Sequence, residues 1–298
     1  MNRVVITGFS AITALGDNWT DFKAALVKGE NAVVTMPEWN KVAGLNTNLA
    51  APVQNYKTPN HYKRKQIRSM GKVSIMSTDV TEKALAQSGL LGTEQLNSGD
   101  IGISYGSSMG STGPIPAFGD LLKDKNMDGI TATSYIQMMA HTTPVNVGVF
   151  FGLKGRTITT SSACTSSSQG IGYAYEAIKY GKQKAMVAGG AEELCLSGPA
   201  VFDTLFATSL KNETPKSTPR PFDKDRDGLV IGEGACTFIL EELEYAKARG
   251  ATILAELVGF GTNADGKHVT QPTAETMEKA MRLALEDADL SPNDIGYI

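Results

Sequence analysis

The sequence predicts an α/β protein built on a repeated unit, and two observations carry that expectation. Short β-branched runs that end near glycine alternate with helix-forming stretches, the pattern of strands and helices in one layered fold. A helix–loop–strand block in the first hundred residues also returns near the end of the chain in the same order.

In chain order, Arg3–Thr7 reads as a strand closed by Gly8. Residues 81–87, from Thr81 to Gln87, are rich in helix formers. Ile101–Tyr105 and Thr157–Thr160 are two further strands, and 169–180 form a helix with Ile171, Tyr175 and Ile178 on one face. Ala185–Ala188 and Ala235–Leu240 add strands, and Glu275–Ala288 repeats the helical pattern. Glycine supplies 31 of 298 residues, above the ~7% norm, and falls where strands must turn sharply. Lys57–Arg68 is polar and basic, and Lys211–Arg226 is rich in proline and charge; both read as surface excursions. The repeat pairs Thr81–Leu85, the loop at 90–97 and Asp100–Ile103 with Met277–Met281, Leu290–Pro292 and Asp294–Tyr297. Val4–Phe9 is echoed by Leu257–Gly261, each ahead of its helix, so a duplicated unit is expected whose second copy stops inside a strand.

Composition excludes several classes of function. With 31 acidic against 28 basic residues the net charge is −3, which argues against nucleic-acid binding through a general basic field. No apolar run approaches the ~18 residues of a membrane span, and the apolar core after Met1 is too short for a signal peptide, so a cytoplasmic protein is expected. The three cysteines, Cys164, Cys195 and Cys236, form no CxxC pair, which argues against a disulfide framework and a thiolate zinc site. There are three histidines, His61, His141 and His268.

The strongest chemical signal is the run from Thr157 to Gly172, in which a β-branched strand gives way to small residues and then to a helix. Cys164 is expected at that helix's N-terminus, where free N–H groups and the dipole favour a thiolate. The same groups suit an oxyanion developing on a thioester carbonyl. Against this, free cysteine is often buried and inert, so the residues alone leave both readings open. Cys236, in an apolar strand, reads as core, and Cys195, at a strand-to-loop crossing, as structural. Asp223–Gly228 resembles a calcium loop, but its twelfth position is Gly234 instead of glutamate, so a charged turn is the better account. Gly106–Gly113 lacks the Lys-Ser/Thr of a phosphate loop. Lys63, Arg64, Lys65, Arg68 and Lys72 form a basic cluster, with Lys65, Arg68 and Lys72 spaced for one helix face. It reads either as a solvated face or as a landing site for an acidic partner.

These residues resemble the elongating β-ketoacyl-acyl carrier protein synthases of the thiolase superfamily, over essentially all 298 residues. The motifs are Val4–Gly8, Ser162–Ser166 around Cys164, Ala188–Glu192, and Arg220–Asp223 through Arg226–Gly228 to Gly232–Ala235. Within the family the sequence most resembles the branch found with aryl-polyene-type clusters and some atypical fatty acid initiating or elongating enzymes. The resemblance implies a thiolase-like, duplicated, mixed five-layer αβαβα architecture. Residues 1–250 would form the half that carries the nucleophile, and 251–298 the start of a second, truncated half.

The resemblance further implies that Cys164 takes an acyl group from carrier-protein phosphopantetheine, and that malonyl-carrier protein loses CO2 and attacks that thioester. It implies no metal or organic cofactor, and a homodimer or a ketosynthase heterodimer. Lys63, Arg64, Lys65 and Arg68 match the family's carrier-docking patch. Met138 and Met139 match its dimer-side acyl pocket, and Phe202 and Thr270 its active-site channel. Departures are Ser166–Gln169, where many relatives have Gly, Ala and His, and the family's two catalytic histidines and its Phe-containing Gly-rich loop, which none of the three histidines or the last residues match. These are expected beyond Ile298, so the chain is expected to be incomplete and unable to finish condensation by itself. Two alternatives stand beside this reading: a coenzyme A-dependent thiolase, which needs a second catalytic cysteine late in the chain, and a chain-length subunit of a heterodimer, which typically replaces the nucleophile.

Overall fold

The computed structural model describes residues 1–298. Its strands are β1 (Val4–Thr13), β2 (Val34–Thr35), β3 (Leu49–Ala51), β4 (Ile101–Gly106), β5 (Thr157–Thr160), β6 (Ala185–Glu192), β7 (Ile231–Gly232), β8 (Gly234–Glu242) and β9 (Ala255–Leu257). Its helices are α1 (Trp19–Val27), α2 (Arg64–Ile67), α3 (Lys72–Ser88), α4 (Ile115–Asp124), α5 (Ser134–Met138), α6 (Thr143–Phe151), α7 (Ser166–Lys179), α8 (Ser197–Thr204), α9 (Leu243–Ala248) and α10 (Ala274–Ala288). No helix is long and apolar enough to cross a membrane.

Six strands form one mixed sheet in the order β5-β4-β6-β8-β1-β9, and β2, β3 and β7 form a small second sheet. β5, β4 and β6 are parallel; β8 runs antiparallel to both β6 and β1. Both faces of the large sheet are covered, and the alternation along β6 shows how. Ala185 and Val187 join the core beneath α3 and α6, while Met186 and Ala188 join the core beneath α7. Ile239 and Leu240 of β8 split in the same way, each fully buried and each contributing about 1.5–3 kcal/mol. Burial on both faces explains why the strands read as short continuous apolar or β-branched runs.

Two elements are longer than the sequence signals. β1 continues to Thr13 through an irregularity between Ile6 and Gly8. α3 begins nine residues before Thr81, because Ser74, Ser77, Thr78 and Asp79 are buried despite their polarity. Ser77 Oγ and Thr78 Oγ1 donate to the carbonyls of Val73 and Ser74, each at 2.8 Å, so the helix satisfies them itself.

The repeat is visible in how two helices approach two glycines. A Cβ on Gly8 would meet the carbonyl oxygen of Ala84 and the Cβ of Ser88 on α3; a Cβ on Gly259 would meet the carbonyl oxygen of Ala284 and the Cβ of Ala288 on α10. Only glycine lets backbone and helix come this close. Residues 258–261 lie between α7 and α10: Tyr175 OH donates to the Val258 carbonyl at 2.8 Å, and Phe260 stacks edge-on to Tyr173. The order helix, sheet, helix, extended segment, helix therefore follows the five-layer expectation.

α10 is tied to α7 by Lys179, whose Nζ donates to Asp287 Oδ1 at 2.6 Å. Burial opposes ionisation of Asp287, but Lys179, the Phe260 N–H and Tyr175 together hold its carboxyl below the usual range. Two strand expectations fail here. Of Leu257–Gly261 only Leu257 is in a strand, and β9 pairs with β1 at the edge of the first sheet. Asp294–Tyr297 is not a strand, since residues 295–298 are exposed and pair with no neighbour, and a ladder requires one.

Candidate active site

Three parallel strands bring their C-terminal ends together at Gly106, Thr160 and Gly190. The first turn of α7 sits directly on them. A Cβ at Gly106 would press on the Ser166 backbone, and one at Gly190 would overlap Ser167 Oγ, so two glycines permit the close approach. Between Thr160 and α7 the chain makes a tight turn at Ala163–Thr165 that presents Cys164.

Ala163 has φ +52, a left-handed conformation costing an alanine about 1–2 kcal/mol. Neighbouring hydroxyls hold it. The Ser162 N–H donates to Ser166 Oγ at 2.9 Å, and Ser166 Oγ donates to the Ala163 carbonyl at 2.7 Å. Thr165 Oγ1 donates to the Ser162 carbonyl at 2.9 Å, and Thr160 Oγ1 to the Ser166 carbonyl at 2.8 Å. Cys164 is exposed, immediately before the N-terminus of α7, as the sequence predicts.

Cys164 opens on a cavity of about 610 Å³ whose wall includes Ile12, Met109, Ala191, Val201, Phe202 and Ile231. Carboxylates shape its rim. Glu192 accepts the N–H groups of Ser108 at 2.6 Å and Met109 at 3.1 Å, and Glu193 accepts the Thr112 N–H at 2.7 Å. Buried Glu233 accepts from Lys72 Nζ at 2.5 Å, the Leu194 N–H at 3.0 Å and the Val53 N–H at 2.9 Å. These acids are occupied as acceptors, and Glu192 fixes the loop Ser107–Met109.

All three cysteines line the same cavity, which the sequence does not reveal for Cys195 and Cys236. Burial pushes the Cys236 thiol up to about 11, so it stays protonated near neutrality. Cys195 Sγ lies 2.8 Å from Ser197 Oγ.

Of the other site residues predicted, Phe202 alone shares the cavity with Cys164. Met138 and Met139, at the end of α5, are half-buried outside its wall, because Gly110, which lines it, packs its backbone against the Met138 carbonyl. Thr270 is exposed away from it, its N–H donating to His268 Nδ1 at 3.1 Å. His61, His141 and His268 are all exposed, and none lines the cavity. Lys63, Arg64, Lys65 and Arg68 are exposed and form no ion pair. Lys72 is not on their face: α2 is a single turn, Gly71 caps α3 in an extended conformation, and Lys72 pairs with Glu233. The turn at 223–228 binds its own backbone, with Asp223 Oδ1 accepting the Asp225 N–H at 2.7 Å.

The Beta-ketoacyl synthase N-terminal domain family matches residues 1–246, and the corresponding C-terminal domain family matches residues 254–298. The chain belongs to the β-ketoacyl synthase family. It is 34% identical over 299 residues to 3-oxoacyl-[acyl-carrier-protein] synthase 2 of Vibrio harveyi, covering 99% of this chain and 72% of that relative. Identity to 3-oxoacyl-[acyl-carrier-protein] synthase 1 of Escherichia coli K12 is 34% over 292 residues, covering 97% and 71%. A crystal structure of a β-ketoacyl synthase from Burkholderia phymatum superposes with a TM-score of 0.97 at 57% identity, covering 100% of this chain and 73% of that one. The ishigamide ketosynthase/chain length factor matches at TM-score 0.86 and 26% identity, covering 99% and 72%. The layered arrangement above is thus the thiolase-like ketosynthase fold.

Proposed function

We propose that this β-ketoacyl synthase loads an acyl group from an acyl carrier protein onto Cys164 and holds it in the adjoining cavity, the first half of a condensation with a malonyl unit in chain elongation. One observation carries the reading: an exposed thiol on a strained turn, at a helix N-terminus, opens on a cavity with a largely apolar wall. In the loading step Cys164 Sγ attacks the thioester carbonyl and the bond to the phosphopantetheine sulfur breaks. That sulfur leaves as a thiol with the proton Cys164 gives up. Intact-mass analysis after exposure to acyl-carrier protein tests this: the chain gains one acyl group, and no gain would overturn it. Retention of Cys164 favours a catalytic chain over a chain-length subunit.

The carrier protein docks at Lys63, Arg64, Lys65 and Arg68, four exposed cations without internal partners on an otherwise acidic chain. Lys65→Glu with Arg68→Glu is expected to raise the KM for acyl-carrier protein by about tenfold or more, the cost of reversing two steering charges. Alkylation of Cys164 by iodoacetamide should be unchanged, and the loss should shrink at high salt. An equal loss in both assays would point to disrupted folding and remove the docking role.

The chain pairs with a second copy along β5, which hydrogen-bonds to β4 alone and leaves its other edge open. Exposed Tyr135, Ile136, Val145 and Val149 on the neighbouring α5 and α6 extend the surface, and Met138 and Met139 lie on the segment it would cover. Val149→Glu should convert a dimer into a monomer in sedimentation equilibrium. A monomeric parent chain would overturn the arrangement.

A further inference from the structure

Gln169 stands in the first turn of α7 and is not part of the cavity wall. Its side-chain carbonyl Oε1 accepts a hydrogen bond from Ser162 Oγ at 2.5 Å, between residues seven positions apart that bracket Cys164. An ordinary helix-capping side chain bonds a backbone N–H of the same helix. This one reaches across the nucleophile to Ser162, two residues past the end of β5.

Ser162 is where the turn is set. Its backbone is at φ −126 and ψ 46, and the next residue, Ala163, is at φ +52. Thr165 Oγ1 lies 3.2 Å from Ser162 Oγ and 2.9 Å from the Ser162 carbonyl. Because a carboxamide oxygen can only accept, Ser162 Oγ must donate to Gln169, and its lone pairs are left to face Thr165. Without Gln169 that hydroxyl keeps only Thr165 Oγ1 as a side-chain partner, and the strained turn loses the one side-chain bond that ties it to α7 beyond Ser166.

We infer that Gln169 is a positioning residue for Cys164, acting through Ser162 to fix the turn that aims the thiol. The inference rests on the assignment of Cys164 as nucleophile, but its primary readout, thiol alkylation, does not require acyl transfer.

The experiment compares Gln169→Leu, Gln169→Glu, Ser162→Ala and the double variant Ser162→Ala/Gln169→Leu. It measures the rate of Cys164 alkylation by iodoacetamide on the high-pH plateau, where the thiol is fully ionised, together with kcat and KM for acyl-carrier protein and thermal unfolding. Gln169→Leu is expected to slow alkylation and kcat about fivefold, the worth of one hydrogen bond, with KM and the unfolding midpoint close to the parent. Gln169→Glu keeps the acceptor and should restore the plateau rate. The double variant should be no slower than the slower single, since both remove one interaction. Parent-like rates in Gln169→Leu, additive losses in the double variant, or failure of Gln169→Glu to restore the rate would each overturn the inference. Should Gln169→Leu fail to fold, a parent-like rate in Ser162→Ala would do the same. Normal alkylation behaviour with no acyl transfer at all would overturn the loading function and leave the positioning role standing.

Discussion

Cys164→Ala is expected to abolish acyl loading, with a loss beyond about a thousandfold, while Cys195→Ala and Cys236→Ala continue to load. Three thiols share one cavity, so location cannot decide between them, and their chemistry must. Cys236 is pushed up to about 11 by burial, which leaves on the order of one molecule in ten thousand ionised at pH 7. Cys195 is half-buried with its sulfur against Ser197 Oγ. Cys164 alone is exposed, on a turn whose strain is held by four hydroxyl hydrogen bonds, and at the end of a helix whose free N–H groups favour negative charge. Peptide mapping of the acyl adduct checks this. An adduct of full occupancy on Cys195 or Cys236 in the Cys164→Ala chain would sink the assignment.

What the sequence revealed and what it hid divide along the range of the interactions. Thr157–Thr160 and the small residues around Cys164 are legible because a β-branched strand followed by serine and alanine specifies its turn locally. Gly8 and Gly259 mark the duplication for another reason: a helix distant in sequence approaches each so closely that a side chain is excluded, and the repeated glycine records it. The first half of α3 was hidden because its serine and threonine hydroxyls are satisfied by their own helix, so buried positions look polar. Glu192, Glu193 and Glu233 were missed as builders of the site because each bonds a backbone group on a distant element. Glu192 reaches 83 and 84 positions to Met109 and Ser108, and Glu233 reaches 180 positions to Val53. Lys72 was misplaced because spacing along a chain predicts a shared face only within one unbroken helix, and Gly71 breaks it. Met138 and Met139 match a family position on the dimer side of the pocket; within one chain Gly110 lines the cavity wall and they do not.

Gly190→Val is expected to remove loading while leaving the sheet intact, and the reason lies in which neighbours can yield. The Cβ of residue 190 would overlap Ser167 Oγ and lie 2.7 Å from both Ser167 Cβ and the Gly106 carbonyl oxygen. β6 is held on both sides, Gly190 pairing with Gly106 of β4 and with Cys236 of β8, so the strand cannot move away. The first turn of α7 must lift instead. Overpacking of this kind costs about 1–3 kcal/mol, a strain the two buried cores can absorb without global unfolding. Cys164, three residues before Ser167, moves with that turn, and a displacement near 1 Å can slow a positioned reaction about a hundredfold. Loading should therefore fall about that much while the thermal unfolding transition stays cooperative. Adding Ser167→Gly to Gly190→Val removes one of the clashing side chains and should recover part of the rate. If the single variant loads like the parent, or the second substitution recovers nothing, then the seat of α7 on Gly106 and Gly190 does not set the position of the nucleophile.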